Sequence, residues 1–265
     1  MLSYYVAGSP ENPLVILSHG VEDCAVAWAD YIDHLSDRYL VVAVDSLGHG
    51  FSPRFTADQL ADPFEASYRA FEETVEAIER RFGATAVFVG HSMGGAQVTM
   101  LANRRPDLVR GAVVEDPAWL DDDQRRGFLD RAQDSTALLD GWAADPIDAM
   151  RGNMAKRPMW PLADHLGWTL GKNRADRALI LTGVVSFAEP WRQVVEGIRV
   201  PLVVVSSDLE EDLVGGDGLR AAEALNPNVT TVLIPGLPHT LRRTAIDRFN
   251  EAIDPYLAAW SAWTA

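Results

Sequence analysis

The chain of 265 residues is 48% hydrophobic and 23% charged, the usage of an ordinary folded protein rather than a disordered one. Its 38 acidic and 23 basic side chains leave a net charge of −15, which repels phosphate backbones and anionic lipid head groups, so neither nucleic acid nor membrane is an expected partner. No stretch reaches the ~18 uninterrupted apolar residues of a membrane span. The opening Met1–Pro13 has neither the basic nor the apolar region of a secretory signal, and the one cysteine, Cys24, can form no internal disulfide. A cytoplasmic location is the expectation.

Short, continuously apolar runs recur at Leu14–Leu17, Leu40–Val44, Ala86–Val89, Ala112–Val114, Leu202–Val205 and Thr231–Ile234. Runs without alternation suit strands covered on both faces, as in a parallel sheet. Between them, Ala66–Phe82 places Tyr68, Phe71, Val75, Ile78 and Phe82 on one helical stripe and stops at Gly83. Thr244–Leu257 is a closing helix with Ile246, Phe249, Ile253 and Leu257 on its buried face. Alternating strands and helices predict a doubly wound, mostly parallel α/β sheet. From Trp119 to Trp191 the rhythm breaks: no strand is expected, and Pro146, Pro158, Pro161 and Pro190 cut the stretch into short helices rich in Trp and Met. It reads as a helical cap, residues 119–191, inserted into a core made of residues 1–118 and 192–265.

The run Ala86–Val89 leads directly into Gly90-His91-Ser92-Met93-Gly94 and then into the helical pattern Ala96–Arg104. A serine on a strand-to-helix turn sits in strained backbone with its hydroxyl exposed, and glycines on either side let strand and helix close up. Ser92 is therefore the candidate nucleophile. A hydroxyl needs a base to take its proton. His239, in the loop after the last predicted strand, lies at the end of the sheet where parallel α/β folds present their chemistry. His91 is expected to be structural. The oxyanion needs preset backbone donors: the amide of Met93 directly follows the nucleophile, and Val21 follows the strand Leu14–Leu17 in Ser18-His19-Gly20-Val21, where Gly20 permits a close turn and His19 braces the loop.

With Ser18-His19-Gly20, Asp45-Ser46-Leu47-Gly48-His49-Gly50-Phe51-Ser52, Gly90–Gly95 and the Pro238-His239 loop in this order, the chain resembles the α/β-hydrolase superfamily of esterases, lipases and C–C hydrolases. The insert lies at that family's cap position. Only one strand, Tyr4–Val6, fits before Leu14, so a sheet lacking the family's first antiparallel strand is expected. The resemblance offers two places for the triad acid. One follows Leu202–Val205, where Glu210 takes the acid's place in an acidic run that blurs the register. The other follows Ala112–Val114, where Asp116 lies 24 residues after Ser92, as in the branch that includes haloalkane and fluoroacetate dehalogenases and some lactonases. The clearer register favours Asp116.

A serine nucleophile excludes the aspartate-based attack of dehalogenases and epoxide hydrolases. The expected activity is hydrolysis of a carboxylic ester or lactone through an acyl-enzyme, with C–C bond hydrolysis or a non-catalytic small-molecule receptor as alternatives. No metal and no organic cofactor is implied, and the oligomeric state stays open. The Trp and Met content of the cap suggests an apolar substrate, with Trp119, Met154, Trp160 and Trp191 as candidate pocket residues beside Gly20.

Overall fold

A computed structural model describes residues 1–262. Among the described residues seven strands form one sheet in the order β1-β3-β2-β4-β5-β6-β7. They are β1 (Tyr4–Ala7), β2 (Leu14–Ser18), β3 (Leu40–Val44), β4 (Ala86–His91), β5 (Val109–Glu115), β6 (Leu202–Ser206) and β7 (Val229–Leu233). Among the described residues only β1 is antiparallel, lying against β3, and it is the one strand that precedes β2.

The continuous apolar runs follow from helices on both faces. Successive side chains of a strand point to opposite sides. In β2, Leu14 and Ile16 enter one core with Phe71, Val75 and Ile78 of α2 (Pro63–Phe82) and Leu101 of α3 (Met93–Arg104). Val15 and Leu17 enter the other, with Tyr31 and Leu35 of α1 (Ala29–Ser36) and the C-terminal helix. The helix expected from Ala66 begins three residues earlier, because Asp62 caps it through the Glu65 amide at 3.3 Å and Pro63 fits its first turn.

Six helices separate β5 from β6: α4 (Asp122–Asp130), α5 (Ala132–Ala144), α6 (Pro146–Lys156), α7 (Leu162–Arg174), α8 (Arg177–Ile180) and α9 (Trp191–Glu196), with no strand among them. Helix α7 lies directly on the segment after β2. A Cβ at Gly167 would stand 2.5 Å from Ala27 Cα, so only glycine permits that approach. After β6 come α10 (Gly215–Leu225), β7, α11 (Leu241–Thr244) and α12 (Ile246–Ser261). The single closing helix expected from Thr244 is thus two, broken at Ala245, whose φ of −148° is not helical. Among the described residues no helix is long and apolar enough to cross a membrane. The parallel strands bring the loops after β2, β4, β5 and β7 to one edge of the sheet, and there the candidate residues gather.

Candidate active site

Ser92 joins β4 to α3 with φ 53° and ψ −117°, a conformation that costs about 1–3 kcal/mol outside glycine. Surrounding hydrogen bonds hold it there. Its amide donates to Glu115 O at 3.0 Å, and its carbonyl accepts from the amides of Ala96 and Ala118 at 3.0 and 2.9 Å. The glycines of the motif answer to space: a Cβ at Gly94 would lie 2.3 Å from Ser18 O, inside the loop that carries Val21.

Beside this turn, the amides of Val21 and Met93 donate to no protein acceptor among the described residues, Met93 being the first residue of α3. Two buried histidines set the Val21 loop. His19 Nε2 accepts from the Ser46 amide at 3.0 Å, so its Nδ1 carries the proton and donates to Gly20 O at 2.8 Å. His49 Nε2 likewise accepts from the Glu22 amide at 3.1 Å while Nδ1 donates to Leu47 O at 3.0 Å. Burial, and then the neighbouring His19, push His49 down to about 3, which keeps it neutral and able to accept. Asp45, the first residue of the second family motif, accepts from the Ala25 amide at 2.7 Å and the Phe51 amide at 2.9 Å.

His239 lies in the loop between β7 and α11, and its Nδ1 donates to Asp116 Oδ2 at 2.5 Å. Asp116 is fully buried just beyond β5, with φ 35°. Its carboxylate also accepts from Ser206 Oγ at 2.8 Å and from the amides of Leu213 and Val214 at 3.0 Å each. Glu210, the other candidate acid, is exposed and makes no hydrogen bond to His239. The loop after β6 meets the triad through the Leu213 and Val214 amides on Asp116, while Glu210, Glu211 and Asp212 line the same cavity as His239 without bonding to it.

Burial disfavours a charged imidazole at His239, but the Asp116 bond and charge, with Glu115 and Asp212 behind them, outweigh it and raise the ring above its ordinary range. Asp212 is itself pushed up to about 6 by burial and then by Asp116. His91, expected to be structural, lines the same cavity as Ser92. Burial, then His239, hold it well below the usual imidazole range, and its Nε2 donates to His239 O at 3.1 Å. No hydrogen bond joins Ser92 Oγ to His239 among the described residues, but both side chains line one cavity of about 790 Å³.

The cavity corrects several expectations about the cap. Gly20, Val21 and Trp160 line it, but Trp119 and Trp191 do not. Those two stack at 5.3 Å inside the core, where Trp119 Nε1 donates to Thr99 Oγ1 at 2.9 Å. Met154 is exposed on α6, off the cavity wall. In their place stand Trp168 and four cations that the sequence reading missed: Arg131, Arg157, Lys172 and Arg243. Lys172 is paired with Glu22 at 2.9 Å and Arg243 with Asp23 at 2.5 Å. Arg131 and Arg157 have no carboxylate partner among the described residues, and each lies over an aromatic ring, Phe128 and Trp160 respectively. A wholly apolar pocket is therefore not what the cap supplies. The one usable signal was spacing, since Trp168 and Lys172 stand four apart on α7 and so share a face. Among the described residues no group of three or more His, Cys, Asp or Glu is placed to hold a metal ion.

Comparison with known proteins agrees with this architecture. The 2-(acetamidomethylene)succinate hydrolase of Mesorhizobium japonicum is 24% identical over 94% of this chain and 89% of its own. The (E)-2-((N-methylformamido)methylene)succinate hydrolase of Acinetobacter baylyi is 26% identical over 96% and 93% respectively. Among solved structures, the enol-lactonase from Burkholderia xenovorans has a TM-score of 0.74 at 20% identity, covering 97% of this chain and 96% of that one. Residues 13–176, more than half of the chain, match the alpha/beta hydrolase fold. The chain belongs to the α/β-hydrolase fold family.

Proposed function

We propose that this protein is a serine hydrolase that cleaves an acyl bond of a small, carboxylate-bearing molecule through an acyl-enzyme intermediate. The observation that carries the reading is the His239–Asp116 hydrogen bond at 2.5 Å, with His239 on the same cavity as the strained Ser92. Asp116 keeps the proton on Nδ1, which leaves Nε2 free to act as a base. His239 Nε2 takes the Ser92 Oγ proton as Oγ attacks the substrate carbonyl, and the amides of Val21 and Met93 receive the developing oxyanion. Collapse of the tetrahedral species breaks the bond to the leaving group, which receives the proton from His239. Water gives a proton to His239 as it attacks the acyl-enzyme, and collapse breaks the acyl–Oγ bond while His239 returns that proton to Ser92 Oγ, releasing the acid. The Ser92–His239 hydrogen bond is one that free enzymes often hold loosely and that tightens with substrate.

The substrate class rests on the cap. Arg131 and Arg157 offer guanidinium groups without carboxylate partners to a ligand, and a carboxylate is the group they hold best. Two relatives bear names of hydrolases acting on succinate derivatives, which are carboxylates. An ester, an enol lactone or an N-acyl enamine each presents the acyl carbon this sequence of steps requires. The test pairs serine-directed fluorophosphonate labelling with a panel of such compounds, each with and without a free carboxylate. Labelling lost in Ser92→Ala, with turnover favouring the acids, is expected. A wild-type protein that resists labelling and turns over none of the panel sinks the hydrolase reading in favour of a ligand receptor.

A further inference from the structure

Glu115, the last residue of β5, is 1% exposed and takes no part in the steps above. A buried carboxyl is costly, and burial pushes this one up from its usual range, against the pull of Arg242. An apolar side chain would serve packing at lower cost, so its retention needs another reason. That reason lies in three attachments. The backbone carbonyl of Glu115 accepts the Ser92 amide at 3.0 Å. Its side-chain Oε1 accepts the backbone amide of Arg242 at 2.8 Å, three residues beyond His239. The residue after it is Asp116. One residue thus touches the nucleophile turn, leads into the acid and holds the far end of the base loop.

We propose that Glu115 is a positioning residue for His239, fixing the imidazole relative to Ser92 through its hydrogen bond to the Arg242 amide. The surroundings make this anchor firm. The Arg242 guanidinium lies 4.2 Å over the Trp28 ring, donates to Ala27 O at 3.2 Å and stands 3.6 Å from Asp164 Oδ2 of α7. With both ends of the His239–Arg242 stretch held, by Asp116 on His239 and by Glu115 on the Arg242 amide, the ring has little freedom to swing out of the cavity. Without an acceptor at position 115, the buried Arg242 amide has no partner and the loop relaxes toward solvent.

The inference rests on the reading of Ser92 and His239 as nucleophile and base, and the test separates the two. The rate of Ser92 labelling by a fluorophosphonate is measured on the alkaline plateau of its own pH profile and resolved into a maximal rate and a half-saturation concentration. Glu115→Gln keeps an acceptor oxygen at the same reach and is expected to label within about threefold of wild type. Glu115→Asp keeps the charge but withdraws the oxygen, and its maximal rate is expected to fall about tenfold with half-saturation unchanged. Glu115→Met, which has no acceptor, should lose about 10²-fold, the scale of a small misplacement of a reacting group. These rate constants do not depend on the fraction of protein that is folded, so a purely structural part for Glu115 would leave them alone. If Glu115→Met does not fold, the contrast between Gln and Asp decides. Wild-type rates in both, or an active Asp variant beside an impaired Gln variant, overturn the tether. Failure of the wild type to label overturns the hydrolase reading and this inference with it.

Discussion

At the sheet edge, Asp116 is fully buried and its carboxylate takes four hydrogen bonds, from Ser206, Leu213, Val214 and His239. Across the cavity, Arg157 of the cap is exposed and its guanidinium donates to one side chain, Asn153 Oδ1 at 3.0 Å. The first arrangement is fixed by backbone, since two of those four donors are main-chain amides and the carboxylate cannot move without stranding them. The second is held by a long side chain on a helical insert and can change at little cost to the fold. On the proposed reading, the chemistry is built into the sheet's loops, while the choice of substrate rests on side chains that the fold leaves free to vary.

The largest expected effects lie at the sheet edge. Replacing Ser92 by Ala should abolish labelling and cut turnover by about 10⁶-fold, with only residual catalysis from binding and the oxyanion donors left. Asp116→Asn, which keeps the shape but frees the imidazole to take the wrong tautomer, should cost about 10⁴-fold in kcat. Glu210→Gln should change kcat by less than about twofold, as expected for an exposed charge that touches nothing in the triad. Steady-state kinetics on one active substrate measures all three. Equal losses at 116 and 210, or a near-normal Asp116→Asn enzyme, would show that the buried carboxylate is not the one that works.

The same contrast explains what could be read from the amino-acid order. Continuous apolar runs gave the strands because both faces of the sheet are covered, and Gly90 and Gly94 marked the turn because their lack of a side chain is a local, one-dimensional requirement. Asp116 could be favoured over Glu210 only by its clearer register, because which loop meets His239 depends on where β6 ends and how residues 207–214 fold back, a matter of three-dimensional path. The cap was least legible. Trp119 and Trp191 carry the composition expected of a pocket, yet they fill the core against Thr99, while Arg131 and Arg157 resemble any solvated surface charges and line the cavity. Composition says what a helix carries and not which way it faces.

On the cap side the expected effects are smaller. Arg157→Ala and Arg131→Ala should each raise KM for a carboxylate substrate by about tenfold, the scale of a partly solvated charge-assisted hydrogen bond, with kcat held within about threefold. The matching methyl ester should lose almost nothing, so the ratio between acid and ester isolates the contact. A KM that rises equally for both forms would mean that the arginines shape the cavity rather than read the charge.

The smallest effect tests the electrostatics that join the two regions. On the proposed reading only neutral His239 takes the Ser92 proton, and its ring is held above the ordinary 6.5 because the Asp116 bond, with Glu115 and Asp212 behind it, outweighs burial. Activity should therefore rise with pH through a limb that lies above 6.5 and should be lost below it. Asp212, pushed up to about 6, is among the acids whose charge raises the ring. Asp212→Asn removes that charge and should move the limb to lower pH by a few tenths of a unit, which raises activity near neutral pH by less than about twofold. His91, neutral and bonded to the His239 carbonyl, adds no charge of its own to obscure the shift. A kcat/KM profile for wild type and variant, taken on one substrate at constant ionic strength, reads the displacement directly. A limb that stays in place or moves upward would mean that Asp212 is already protonated in the working enzyme and that Asp116 and Glu115 set the base without it.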